Sequence, residues 1–193
     1  MRTQISGKQI DVGNALQTHV ADGLVAVMDK YAQNPTDATV VFSRDAHNYV
    51  CEALVHLPSG LTAQAKASAA EIYAAFEACR DKMEKQLRRY KRRLKDHHRE
   101  RVQPVEFGGG SGYVLASGGD GEETEPEGLQ PIIIAEMEMR IPKLSAGEAV
   151  MQMELAEAPV LVFRNERHGG INVVYRRDDG NIGWIEPAAP GEV

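Results

Sequence analysis

The chain has 193 residues, 42% hydrophobic and 26% charged, a composition typical of one globular domain or two small ones. Its formal net charge of −6 argues against a protein that binds nucleic acid through a basic surface overall. The charge is unevenly distributed, however. From Arg80 to Arg101 there are eleven Lys/Arg and four Asp/Glu, a local charge of +7, so the rest of the chain carries −13. This asymmetry predicts one localised basic surface.

The N-terminus and the cysteines indicate a reducing, cytosolic location. No apolar signal core follows Met1, and no apolar run approaches the length of a membrane span. Cys51 and Cys79 lack the spacing of a metal site, and both fall on apolar faces of predicted elements. We therefore interpret them as reduced core residues. No motif implies a cofactor, a metal or a small-molecule substrate.

The first hundred residues predict the order β-α-β-β-β-α. A strand is expected at 2–10, and apolar residues at helical spacing after Asp11 predict a helix at about 12–32. Three strands are predicted next, at 38–44, 47–57 and 61–68. In the last of these, small apolar and polar residues alternate, which predicts a sheet with one packed and one solvated face.

A long helix is predicted from about Ala69 to His98. Its apolar stripe falls within about 80° of arc at the helical step of 100°. The stripe consists of Ile72, Phe76, Cys79, Met83, Leu87, Tyr90 and Leu94. The other face carries Lys82, Lys85, Arg88, Arg89, Lys91, Arg92, Arg93 and Lys95. We therefore expect an α+β domain with both helices on one side of the sheet.

The basic face of this helix is the strongest functional signal. An exposed charged helix face is usually only solvated, but this one is nearly single-signed and contains adjacent arginines that repel one another. A polyanion would relieve that repulsion by binding, since Lys and Arg on a helix contact phosphates without reading sequence. Only Tyr73 is an aromatic residue off the core stripe, so recognition of folded RNA by shape is favoured. Lys66 on the wet sheet face could extend the surface.

Residues 102–130 separate two folded units, expected at 1–101 and 131–187. They contain eight glycines, six acids and no base, which predicts a flexible acidic linker. In the second unit we predict a strand at 132–141 and a short helix to about 156. A capping box formed by Ser145 and Glu148 starts that helix. Three further strands are predicted at 160–163, 171–177 and 182–186, the last two joined by a hairpin turn at 178–181.

The second unit is expected to form a homodimer. The run from Val160 to Phe163 is apolar on both faces of a strand, and one short helix can cover only one face of a small sheet. A symmetric copy is the natural second cover. The alternative is that this unit packs on its own N-terminal half. The candidate interface residues are Val160, Leu161, Val162, Phe163, Ile171, Val173 and Tyr175.

Two blocks of the sequence resemble a known family, the ribosome hibernation promoting factors, also called ribosome-associated inhibitor A and once labelled sigma-54 modulation proteins. The run 70–76 followed by 81–91 is similar to the second helix of their first domain. The runs 149–155, 162–165 and 171–183 are similar to the C-terminal domain of the long form. Relatives of this family often have aromatics where this chain has Val160 and Leu161.

The resemblance implies a fold like that of a double-stranded-RNA-binding domain. It implies binding to the 30S subunit of the 70S ribosome, between head and body over the decoding site, with the long helix against 16S rRNA. Messenger and transfer RNA would be excluded there, so translation would stop without any chemistry. The C-terminal domains of two copies would pair and join two 70S ribosomes into an inactive 100S dimer during dormancy.

Three other functions remain open. The old family label suggests a nucleic-acid-binding modulator of a sigma factor, although no helix-turn-helix spacing is evident. An enzyme would need catalysts, and His97, His98 and His168 have no convincing carboxylate or serine partner in the sequence. We therefore expect no catalytic and no metal-binding residues. A dimerising scaffold with an incidental charged helix is the third alternative.

Overall fold

The computed structural model describes residues 2–31, 36–96, 104–116 and 132–188, with no side-chain description for 94–96. The first unit has the predicted order, with boundaries within three residues of the expected ones. Its elements are β1 (Arg2–Lys8), α1 (Asn14–Tyr31), β2 (Asp37–Asp45), β3 (Asn48–His56), β4 (Thr62–Ala69) and α2 (Ile72–Asp96). Within the described ranges, no helix is both long and apolar enough to cross a membrane.

The first sheet has the strand order β1-β2-β3-β4, with β1 parallel to β2 and the other neighbours antiparallel. Its packed face is the predicted one: Phe42 lies opposite Cys51, which lies opposite Ala67. Both helices cover this face, as predicted, and share one buried cluster with it. A Cβ atom on Gly23 of α1 would come within 2.9 Å of the Phe76 ring, so this glycine allows the two helices to approach closely.

The second unit is a five-stranded sheet with one helix. Its elements are β5 (Phe107–Leu115), β6 (Ile133–Leu144), α3 (Ala146–Leu155), β7 (Val160–Asn165), β8 (Ile171–Arg176) and β9 (Ile182–Ile185), in spatial order β5-β6-β7-β8-β9. The capping box is confirmed: the Ser145 hydroxyl accepts from the Glu148 N–H, and the Glu148 carboxylate accepts from the Ser145 N–H. The turn before β9 contains Gly180 at φ +82°, as the hairpin motif requires.

The prediction of an unstructured linker over 102–130 is wrong for residues 107–115, which form β5. This strand pairs antiparallel with β6, from Phe107 opposite Pro142 to Leu115 opposite Ile133. Glycine-rich sequence has low strand propensity on its own. Here large side chains of β6 lie over the glycines: a Cβ on Gly112 would come within 2.7 Å of the Met139 sulfur. Neighbouring side chains thus supply the packing that the glycines lack.

The two units are in contact through α3, which packs against both α2 and β4. Buried residues of the two units belong to one hydrophobic cluster. The chain after α2 is also anchored, since the Val105 N–H donates to the Ser59 carbonyl at 3.0 Å and Val105 is buried. The helix of the second unit therefore packs on the N-terminal half, the arrangement considered above as the alternative to a dimer. The domain limits 1–101 and 131–187 remain predictions.

Candidate nucleic-acid interface

Helix α2 is held in place by its apolar stripe. Phe76, Cys79, Met83 and Leu87 are fully buried against the sheet. The Cys79 thiol donates to the Ala65 carbonyl at 3.2 Å. The hydrogen bond with Cys79 and burial both raise the pKa of Cys51, so its thiol stays protonated. The stripe fixes which face of the helix points outward.

The outward face of α2 presents a row of basic side chains. Lys85, Arg88, Arg89 and Arg92 are all exposed and together line a surface depression of about 320 Å³. Lys85 and Arg89, like Arg88 and Arg92, stand four residues apart, where like charges on a helix repel. Among the described residues, no ion pair involves any of these four side chains. The row is a concentrated, uncompensated positive surface.

The flank of α2 that faces α1 is compensated internally. The Glu84 carboxylate accepts hydrogen bonds from the Lys30 ammonium and the Tyr31 hydroxyl, each at 2.9 Å. These bonds hold the pKa of Glu84 below its usual value. Hydrogen bonding with Tyr31 and then with Glu84 raises the pKa of Lys30. Lys91 donates to the Lys30 carbonyl at 2.7 Å, so its ammonium is fixed at the edge of the basic face. The Glu84 carboxylate is therefore engaged by α1 and not by the row.

The remaining predicted RNA-binding residues lie around the row in different settings. Lys82 donates to the carbonyl of exposed Lys66 at 2.7 Å, which joins the helix to the outer edge of β4. Arg93 forms an ion pair with Glu154 of α3. Tyr73, near the start of α2 and well before Lys85, is 43% exposed, and its ring contacts that of His19 edge-on. The Lys95 side chain lies outside the described residues.

The second unit presents an open apolar face on β7 and β8. Val160 lies opposite Tyr175 and Val162 opposite Val173, and Val160 and Val162 are 48% and 41% exposed. Ile171, on the same two strands, is also exposed. Five of the seven residues predicted for the dimer interface therefore share one uncovered face.

Two members of the predicted interface are placed elsewhere. Phe163 is fully buried in the core, and Leu161 is partly buried against the same core. These two residues lie on the covered face and are separated from the other five, because successive side chains of a strand point to opposite faces. An uninterrupted apolar run does not reveal which alternate residues face the helix. The helix α3 supplies that cover here.

Sequence reasoning missed a further member of the open face, Ile185. It lies opposite Val173 and is 50% exposed. Alternation along the predicted strand 182–186 could have identified it. The Tyr175 ring folds over Gly183, where a Cβ atom would come within 2.3 Å of the ring. That glycine lets the tyrosine lie flat along the face.

Of the three histidines considered as catalysts for the enzyme alternative, His168 has a structural role in a turn. His168 contacts the Glu186 carboxylate at 2.7 Å and accepts from the Gly170 N–H at 3.1 Å, which fixes the turn between β7 and β8. His97 and His98 lie outside the described residues. Within the described part of the chain, no three His, Cys, Asp or Glu side chains are grouped closely enough to hold a metal ion.

Comparison with known proteins matches both units to one family. The family model described as Sigma 54 modulation protein / S30EA ribosomal protein matches residues 3–95. The model of the Sigma 54 modulation/S30EA ribosomal protein C terminus matches residues 129–183. The first covers nearly all of the first unit with its basic helix, and the second runs from before β6 into the start of β9.

Several curated relatives are similar over nearly the full chain. A protein of Bradyrhizobium diazoefficiens is 38% identical, with 97% of this chain and 95% of that protein covered. A protein of Rhizobium meliloti is 33% identical, with 97% and 98% covered. One of Bacillus subtilis is 29% identical, with 97% and 99% covered. All three are named ribosome hibernation promotion factor. The chain therefore belongs to the Sigma 54 modulation protein / S30EA ribosomal protein family, as a long-form hibernation factor with both parts of the family in order.

Proposed function

We propose that this chain binds the 30S subunit of idle 70S ribosomes through the basic face of α2 and joins two such ribosomes through its second unit. The α2 helix would lie against 16S rRNA over the decoding region and exclude messenger and transfer RNA. Translation would stop by occlusion, in the cytoplasm and without catalysis. The relatives' names point to ribosomes as the partner, and their family is one of ribosome-associated factors rather than a known class of enzyme.

The observation that carries the proposal is the exposed row of Lys85, Arg88, Arg89 and Arg92. Its mutual repulsion is tolerated because the buried stripe on the opposite side of the helix holds the row in place. Binding to RNA phosphates would relieve this repulsion, and the basic side chains would displace counterions from the RNA. With little exposed aromatic surface nearby, the row suits the backbone of folded RNA better than single bases.

The second half of the proposal depends on the open face of β7 and β8. Val160, Val162 and Ile171 leave apolar side chains in water on a sheet whose other face α3 already covers. A second copy could cover that face with the same residues around a two-fold axis. Pairing of two ribosome-bound copies in this way would give a 100S dimer.

The experiment that tests the RNA surface is a pelleting assay with vacant 70S ribosomes. Wild type is compared with Arg89→Glu/Arg92→Glu and with a control of equal charge change, Arg2→Glu/Lys8→Glu on β1 at the far edge of the sheet. We expect the α2 variant to lose roughly 100-fold or more in affinity because attractive contacts to phosphate become repulsive. The control should lose far less, and wild-type binding should weaken steeply as salt is raised.

Four outcomes would contradict the assignment of α2 to ribosomal RNA. Equal losses in the two variants would mean that net charge alone matters. Binding that does not respond to salt would contradict the electrostatic basis. Stronger binding to duplex DNA than to ribosomes would favour the sigma-factor modulator, and no affinity for ribosomes in any variant would favour a dimerising scaffold.

A further inference from the structure

Helix α3 lies along the flank of α2 that faces β4, beside the basic row. The Arg93 guanidinium pairs with the Glu154 carboxylate through both of its terminal nitrogens. About two turns earlier on α2, the Gln86 amide donates to the Glu157 carboxylate at 3.0 Å. Two acids of the second unit are thus in contact with the helix assigned to RNA. Carboxylates at such positions resemble phosphate oxygens as partners for guanidinium and amide groups.

The same helix also binds the open edge of the first sheet. The Gln152 side-chain oxygen accepts from the Thr62 N–H at 3.1 Å, and its nitrogen donates to the Thr62 carbonyl at 3.3 Å. A side-chain amide has the donor and acceptor of a peptide group, so Gln152 pairs with β4 as one residue of a neighbouring strand would. Edge pairing of this kind fixes the position of α3 along β4.

The backbone after α3 independently marks Glu157 as special. Glu157 has φ +50°, the left-handed conformation that usually takes glycine after a helix. The strain persists at a residue whose carboxylate contacts Gln86 across the interface. Strained residues of this kind concentrate at functional contacts. The sequence therefore keeps an acid where the local backbone favours glycine.

Contact between the units leaves a cleft of about 500 Å³ between α2 and α3. Its walls include Lys82, Lys85 and Arg89 from the basic face and Glu154 and Glu157 from the second unit. In this arrangement RNA that approaches α2 from the β4 side meets two carboxylates. Arg93 is already engaged by one of them. The docked second unit and an RNA backbone therefore compete for the same flank.

We propose that the docked arrangement is a self-inhibited state, in which α3 covers part of the RNA-binding surface and must leave before the ribosome is bound. The inference rests on the proposed function of α2. Being on the same chain, α3 acts at a high effective concentration, so even partly exposed contacts can hold the closed state. The apparent affinity for ribosomes is then the intrinsic affinity reduced by the fraction of open molecules.

The first test opens the contact without changing the basic row. Glu154→Gln/Glu157→Gln is compared with Glu136→Gln/Glu138→Gln, which makes the same charge change at exposed positions of β6. We expect the α3 variant to bind vacant 70S ribosomes about three- to tenfold more tightly than wild type at fixed salt, since more molecules are open. The control should match wild type. Equal behaviour of the two variants would overturn the inference.

The second test locks the contact shut. In Gln86→Cys/Glu157→Cys, a short bismaleimide joins the two new thiols, and the same protein capped with N-ethylmaleimide is the matched control. The native Cys51 and Cys79 are fully buried and do not compete for the reagent. We expect the bridged protein to lose at least tenfold in ribosome affinity relative to the capped one. Equal binding by the bridged and capped proteins would show that undocking is not required.

These tests separate failure of the inference from failure of the proposed function. If wild type binds ribosomes and neither opening nor locking changes its affinity, only self-inhibition is wrong. If wild type and all variants fail to bind ribosomes, the assignment of α2 to ribosomal RNA is wrong, and self-inhibition of that binding is wrong with it.

Discussion

The two sheets of this chain are covered to different extents. In the first unit, two helices cover the packed face, and Val25 and Tyr73 are its exposed large hydrophobic residues among those described. In the second unit, α3 covers one face while Val160, Val162 and Ile185 remain exposed on the other. The first unit therefore buries its core between the sheet and two helices and displays charge on its surface. The second unit leaves apolar side chains exposed, a feature typical of surfaces that bind another protein.

The largest loss of stability is expected from a substitution in the buried core of the first unit. Phe76→Ala removes a fully buried ring between α1 and α2 and should lower the free energy of unfolding by about 3–5 kcal/mol. Urea denaturation followed by circular dichroism measures the loss. Tyr73→Ala, one turn earlier on the same helix and 43% exposed, is the control and should cost about 1 kcal/mol or less. Similar losses for both variants would contradict the assignment of the core stripe.

A charge placed on the open face of the second unit should weaken self-association without lowering the stability of the fold. Val162→Glu places a charge at a 41% exposed position, so the isolated chain should fold normally. Its self-association should weaken roughly 30-fold or more, about 2 kcal/mol, because a buried unpaired charge is unfavourable in an interface. Sedimentation equilibrium measures the change. Ser111→Glu on β5 is an exposed control, and an equal loss there would place the pairing surface elsewhere.

A smaller effect is expected at the start of α3, the single helix described in the second unit. Ser145→Ala removes the acceptor of the Glu148 N–H and should destabilise the second unit by about 1 kcal/mol. Thermal unfolding of the variant, compared with exposed Ser68→Ala on β4, measures the loss. An unchanged midpoint in Ser145→Ala would mean that the cap contributes little to the unit.

The smallest effect concerns the compensated flank of α2. The pKa of Glu84 is lowered by its bonds to Lys30 and Tyr31, so its contribution to stability is present above the ordinary glutamate pKa and lost as pH falls through the folded value. Glu84→Gln should therefore cost about 0.5–1 kcal/mol at pH 7. The difference from wild type should disappear in acid. Melting curves over a pH series measure it, and a difference independent of pH would contradict the ionic origin.

Much of the first unit was predictable because its patterns are local. The apolar stripe of α2 follows helical spacing, so Phe76, Met83 and Leu87 could be assigned to the core and Arg88 and Arg92 to the surface from sequence alone. The alternation in β4 likewise identified its packed face. Each of these signals depends on the geometry of one element.

The features that were missed depend on contacts between distant segments. Strand β5 forms because Met139 and Ile141 of β6 pack over its glycines, and nothing within 107–115 indicates that packing. Phe163 could not be told apart from Val162 in the sequence, because only the position of α3 shows which of the two is covered. The pairing of Gln152 with Thr62 joins residues 90 positions apart. No local pattern predicts such a contact.

The most direct test of the whole assignment is sedimentation of vacant 70S ribosomes with three full-length proteins: wild type, Arg89→Glu/Arg92→Glu and Val162→Glu. We expect wild type to produce a 100S peak, the α2 variant to leave the ribosomes unbound, and Val162→Glu to bind while the particles remain at 70S. That pattern would assign RNA binding to the first unit and pairing of ribosomes to the second unit. A 100S peak with Val162→Glu, or ribosome binding by the α2 variant at the wild-type level, would contradict that assignment.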